Sequence, residues 1–291
     1  MGRPERLSLV AFDLQAQSIH SIDQAGMAYF YADGGPLPVR LSAFFSSFGA
    51  ILVFGKSSSK FLAENLKRAR AKQVILLPSF PPEDLKVHVA DYLVDSLKAS
   101  GFGGENSFSP LRLPEEVMSF ARGFLGNFGW KEADRVLAIH PGSGSPAKNW
   151  SLENFARVAN GVSERARVLL ISGPANDGVE EVRKALKKAD SLVVDNLPLF
   201  QLAALLQTSK AYLGNDSGIT HLAAALGLPT VAIFGPTDPA IWSPRGPGVR
   251  ILSERSSCSS CSSEARSECS RQCLENIKPD RVIELLSPFF G

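Results

Sequence analysis

The chain has 291 residues, 44% of them hydrophobic and 21% charged, a balance that fits a globular protein and argues against disorder. Its 31 Lys and Arg against 29 Asp and Glu leave a net charge of +2, too small to point to nucleic acid. No apolar run approaches the ~20 residues of a membrane span, and no signal-type run follows the charged Met1–Arg6, so a cytoplasmic protein of two domains is expected.

In the first half, Leu7–Phe12 is apolar enough for a strand, as are Ala50–Phe54 and Gln73–Leu77. Helices are predicted over 58–70 and 87–99, the second with Val87, Val94 and Leu97 on one side. Residues 100–114, rich in Gly and Pro, read as a linker, and 115–128 as a helix. This places one domain over 1–114 and another over 115–291. In the second, strands at 135–139, 167–171, 192–194, 211–213, 230–234 and 249–252 alternate with helices at 152–163, 179–188, 199–207 and 219–226. Such alternation predicts a parallel sheet with right-handed crossovers. Its ligand site should lie at the C-terminal strand ends, near a switch in strand order.

The polar clusters fall at those ends. Residues 140–150, HPGSGSPAKNW, follow one strand, and residues 214–227, GNDSGITHLAAALG, follow another and open a helix. Small residues let a backbone approach phosphate closely, Lys148 adds a positive charge, and the helix start favours an anion. Asp216 or Ser217 can cap that helix, with His221 about one turn in. Neither a P-loop nor a Gly-x-Gly-x-x-Gly fingerprint occurs, which disfavours a dinucleotide oxidoreductase. An ordinary capped helix and a solvated lysine are the plainer alternatives.

Together the two segments resemble glycosyltransferase family 9, the ADP-heptose:lipopolysaccharide heptosyltransferases. The resemblance is close over about 135–282 and faint before it. It implies an α/β fold of GT-B type, with two Rossmann-like domains facing a cleft and the N-terminal one shortened or divergent here. It further implies inverting, metal-independent transfer of a heptose-like sugar from a nucleotide-sugar donor to a lipopolysaccharide-type or other cell-envelope acceptor. No cofactor would be needed for catalysis, and peripheral contact with the inner membrane would be natural. Carried over by position, Lys148 would meet the diphosphate, Ser143 and Gly144 would face phosphate, and Asp216 would bond sugar hydroxyls. Ser217, Gly218 and His221 would wall the helix start, Phe200 would pack the adenine, and Asn176 would hold the ribose.

The family's opening Ser-Ser-x-Gly-Asp motif, which carries its base, is missing. Asp13, at the end of the first expected strand, is the candidate base; a surface aspartate is the alternative. A proton-transfer group is worth roughly 10²–10⁴-fold, so a non-catalytic sugar-nucleotide-binding homologue is the rival reading. Four cysteines, Cys258, Cys261, Cys269 and Cys273, cluster in one Ser-, Arg- and Glu-rich segment. Four thiolates suit a structural zinc or an iron–sulfur cluster, with reduced thiols or a labile disulfide as the alternatives.

Overall fold

The computed structural model describes residues 1–56, 59–103, 107–173, 178–187, 190–254 and 271–291. It divides into two compact units, one of Met1–Leu7 with Gln17–Ser107 and one of Ser8–Ala16 with Phe108–Gly291. Relative to a single division at 114, Ser8–Ala16 and Phe108–Pro114 count with the second unit.

The chain opens with helix α1 (Pro4–Ala11), not with a strand over 7–12. Pro4 supplies the φ of a first helical residue and Glu5 suits the positive end of the dipole; a short apolar run alone cannot tell strand from helix. The first unit continues through α2 (Ala28–Tyr31), α3 (Val39–Ser46), β1 (Ile51–Gly55), α4 (Lys60–Arg68), β2 (Val74–Pro78) and α5 (Val89–Ala99). Strands β1 and β2 pair in parallel, Val53 opposite Leu76. Asn65, on α4 and 2% exposed, donates to the carbonyls of Phe30 and Ala32 at 3.1 and 2.8 Å, tying α4 to the end of α2.

The second unit runs α6 (Glu115–Asn127), β3 (Val136–His140), α7 (Leu152–Val162), β4 (Arg167–Ser172), α8 (Val179–Lys184), β5 (Ser191–Asp195), α9 (Leu199–Gln207), β6 (Ala211–Asn215), α10 (Gly218–Ala225), β7 (Thr230–Phe234), α11 (Pro239–Trp242), β8 (Val249–Ser253), α12 (Gln272–Glu275) and α13 (Pro279–Leu286). Its six strands are all parallel, in the order β5-β4-β3-β6-β7-β8. The six strands expected from the sequence are all present. Because successive side chains alternate across a strand, Leu137 and Ile139 of β3 enter one core with α7, α8 and α13, while Val136 and Ala138 enter another with α6, α9 and α10. The sheet is thus covered on both faces, as parallel sheets require, and every residue of β3, β6 and β7 is buried.

Candidate functional site

The strand order reverses direction between β3 and β6, which lie side by side with His140 opposite Gly214. From β3 the chain moves outward through β4 and β5; from β6 it moves the other way through β7 and β8. The loops leaving two such strands diverge and open a crevice at their C-terminal ends. Both polar segments singled out in the sequence start there.

Lys148 ends a short 3-10 turn (Pro146–Lys148) in the loop after β3. Asp216 follows β6 directly. The Lys148 ammonium donates to the Asp216 carboxylate at 2.6 Å, with the lysine side chain 30% exposed and the aspartate side chain 8%. The loop is held in place by Asn215, which is fully buried. Its amide nitrogen donates to the Pro141 carbonyl at 2.6 Å, and the Trp150 backbone N–H donates to its amide oxygen at 3.0 Å. One side chain therefore fastens both ends of the 141–150 loop to β6. Within the loop, Ser143 Oγ lies 2.7 Å from the Ser145 carbonyl and 2.6 Å from Asn149 Oδ1, both acceptors for its proton. Gly144 is exposed, and a Cβ there would meet nothing.

At the start of α10, Ser217 is the cap: its hydroxyl accepts from the Thr220 N–H at 3.3 Å. Asp216 makes no such cap; its N–H extends the sheet by donating to the Ile233 carbonyl at 3.0 Å. Thr220 is buried. Its hydroxyl contacts Ser217 Oγ at 3.1 Å and Tyr212 Oη at 3.0 Å and also donates to the Asn215 carbonyl. Burial pushes the Tyr212 phenol well above its ordinary value, outweighing the opposing hydrogen bonds from Thr220 and Ser217. Gly214 is needed for this arrangement, since a Cβ there would fall on the Tyr212 hydroxyl. Gly218 is exposed with open space about its Cα, and His221 sits half-buried one turn into α10.

Beside the crevice lies a pocket of about 250 Å³ lined by His140, Ile171, Val194, Leu197, Leu199 and Ile219 among others. His140 is buried, its Nδ1 2.9 Å from the Ile171 carbonyl. Phe200, the second residue of α9, packs half-buried against the core of that face and does not line the pocket. Asn176 lies outside the described residues, as do Cys258, Cys261 and Cys269. Cys273 lies in α12 and is buried in the core beside Leu274 and Ile277. Among the described residues no group of three or more His, Cys, Asp or Glu side chains is placed to hold a metal. Asp13 follows α1 and not a strand, and forms a 2.7 Å ion pair with Arg112. The strand-end argument for it as a base therefore fails.

The sequence thus located Lys148, Asp216 and Ser217 at one crevice and placed Asn215 and Thr220 in the same segment, but gave no role to these two or to Tyr212, which hold it together. A polar residue closing a fully apolar strand, as Asn215 closes β6, was the available signal.

A parallel sheet covered on both faces, with a polar crevice at its switch point, is an α/β architecture of the GT-B fold class. A glycosyltransferase from Veillonella parvula, itself of family 9, superposes with a TM-score of 0.70 at 21% identity, covering 87% of this chain and 77% of that one. An Escherichia coli heptosyltransferase solved with ADP superposes with a TM-score of 0.59 at 15% identity, over 98% and 94% of the two chains. The family model "glycosyltransferase family 9 (heptosyltransferase)" matches residues 66–273. The chain belongs to glycosyltransferase family 9. A lipooligosaccharide heptosyltransferase 2 from Haemophilus ducreyi is 32% identical over 227 residues, which are 70% of this chain and 65% of the relative. Of three other curated heptosyltransferases that it matches, the chain spans 57%, 56% and 46% of the length. No helix among the described residues is long and apolar enough to cross a membrane.

Proposed function

We propose that the chain binds a nucleotide-activated heptose of the ADP-heptose type and transfers the sugar to a lipopolysaccharide-type or other cell-envelope acceptor. The observation that carries this reading is the Lys148–Asp216 pair at the strand-order switch, in a chain of family 9. Residues 115–291 take the donor and 1–114 serve the acceptor side. Lys148 meets the diphosphate and neutralises the leaving nucleotide, and Asp216 orients sugar hydroxyls. Ser143, Gly144, Ser217, Gly218 and His221 surround the phosphates, with Phe200 and Asn176 toward the nucleoside. An acceptor hydroxyl attacks the anomeric carbon from the face opposite the diphosphate. The C–O bond to phosphate breaks, the nucleotide leaves with the electron pair, and the proton of the acceptor hydroxyl is released to water. No metal or other cofactor takes part, and the four cysteines, if they bind zinc or an iron–sulfur cluster, do so structurally. The protein works in the cytoplasm, in peripheral contact with the inner membrane.

Calorimetry with ADP-heptose against UDP- and GDP-sugars tests the donor, with tight binding of ADP-heptose alone expected. Lys148→Ala removes a charge-assisted contact of ~1.5–3 kcal/mol and should weaken binding about ten- to a hundredfold. Unchanged affinity in a folded variant removes Lys148 from the site.

A second reading is favoured by Asp13, which sits in an ion pair after a helix: a homologue that binds the donor and does not transfer it. Donor binding without product on any glycolipid or glycan acceptor supports it; turnover that survives chelator supports the metal-independent enzyme.

A further inference from the structure

Lys148 is the partner of two anions. Its ammonium holds the Asp216 carboxylate at 2.6 Å, and under the donor reading above the same ammonium receives the diphosphate. The Asp216 side chain is 8% exposed, and a carboxylate so far out of water needs a cation or strong donors beside it. Its backbone is fixed, because its N–H is part of the β6–β7 ladder and its neighbour Asn215 is bonded at both ends of its amide. Lys148 has the freer side chain, 30% exposed on a four-carbon stem. Of the pair, Lys148 is therefore the one with freedom to move toward an arriving diphosphate.

We propose that Asp216 is a latch on Lys148 that makes the site hold a bare nucleoside diphosphate less tightly than one that carries a sugar. This rests on the donor reading. A diphosphate that draws Lys148 away strips Asp216 of its cation and sets a second negative charge near it. A sugar on that diphosphate supplies hydroxyl donors to the carboxylate, which are charge-assisted and strong. A bare diphosphate supplies none. Once the sugar has been transferred, the remaining nucleotide faces an unpaired carboxylate, Lys148 returns to Asp216, and the product is expelled.

The test is Asp216→Asn, which keeps the shape and can still bond hydroxyls but carries no charge. Wild type and variant are titrated calorimetrically with ADP, inorganic pyrophosphate and ADP-heptose. ADP and pyrophosphate should bind the variant about tenfold or more tightly than wild type, while ADP-heptose binds no better. The preference for the sugar-bearing ligand then shrinks by about that factor. Asp216→Ala, which should move ADP in the same direction, serves if the asparagine variant does not fold. ADP affinity equal to or below that of wild type, with ADP-heptose still bound, overturns the latch and leaves the donor site standing. Equal changes for ADP and ADP-heptose also overturn it, since they indicate a scaffold role. Failure of both proteins to bind any of the three ligands removes the donor reading and the latch together.

Discussion

The two units solve the same problem, covering a parallel sheet, to very different degrees. In the second unit the central strands β3, β6 and β7 are buried along their whole length, and helices lie on both faces. In the first, β1 and β2 each bury a single residue, Val53 and Leu77. Of fourteen large hydrophobic side chains exposed among the described residues, ten belong to the first unit, including Phe48, Phe54, Leu76 and Phe80. A two-stranded sheet is marginal by itself, so the first unit leans on a small cluster around Phe30, Phe45 and Leu66. The contrast teaches where burial and hydrogen bonding are concentrated: at the strands β3 and β6 that flank the crevice.

Four substitutions or titrations can break or sharpen this contrast. The largest effect is expected in the second core. Phe155 is fully buried and packs edge-on against Trp150, so Phe155→Ala should cost ~3–5 kcal/mol in urea unfolding. A cost near zero would mean that the second unit is not the stable one. Next, Gly214→Ala drives a methyl group onto the Tyr212 hydroxyl and should cost ~1–3 kcal/mol. Adding Tyr212→Phe should recover part of that loss; strict additivity would deny the contact.

Both successes and failures of the sequence have physical causes. The second sheet is legible because most of its strands hold continuous apolar runs closed by Gly, Pro or polar residues, the signature of buried parallel strands. The run LSLVAF at the end of α1 is apolar and short and so reads as a strand, although Pro4 and Glu5 before it signal a helix start. Helix α13 has a similar opening, Pro279 followed by the acidic Asp280. Lys148 and Asp216 were each legible as site residues from small-residue loops after strands. Their pairing was not, since nothing in a linear spacing states that the loops after β3 and β6 are neighbours; strand order decides it.

A smaller effect compares one tyrosine from each unit. Tyr212 and Tyr31 both have pKa values raised chiefly by burial, with Asp23 adding to the rise at Tyr31. A folded-state pKa above the unfolded value of ~10 gives stability that is full below pH 10 and is lost as pH rises beyond it. Alkaline unfolding should therefore begin above about pH 10. Tyr212→Phe should flatten that fall more than Tyr31→Phe, because Tyr212 is fully buried and Tyr31 is 41% exposed. Equal slopes would erase the difference between the units at this level. The smallest effect is Phe54→Ala: the ring is 50% exposed, and the cost should stay within about 0.5 kcal/mol. A loss comparable to that of Phe155→Ala would show that β1 is covered in solution.

Trp150 joins three parts of the second unit. Its backbone N–H is bonded to Asn215, its indole N–H donates to the Ile277 carbonyl at 3.2 Å, and its ring rests on Phe155. The residue lies two positions from Lys148 and is 1% exposed. This makes it a fluorophore built into the loop itself. An indole so buried should emit at short wavelength, and a rearrangement that parts the 141–150 loop from β6 or from the C-terminal segment and admits water to the ring should redden the light it gives off.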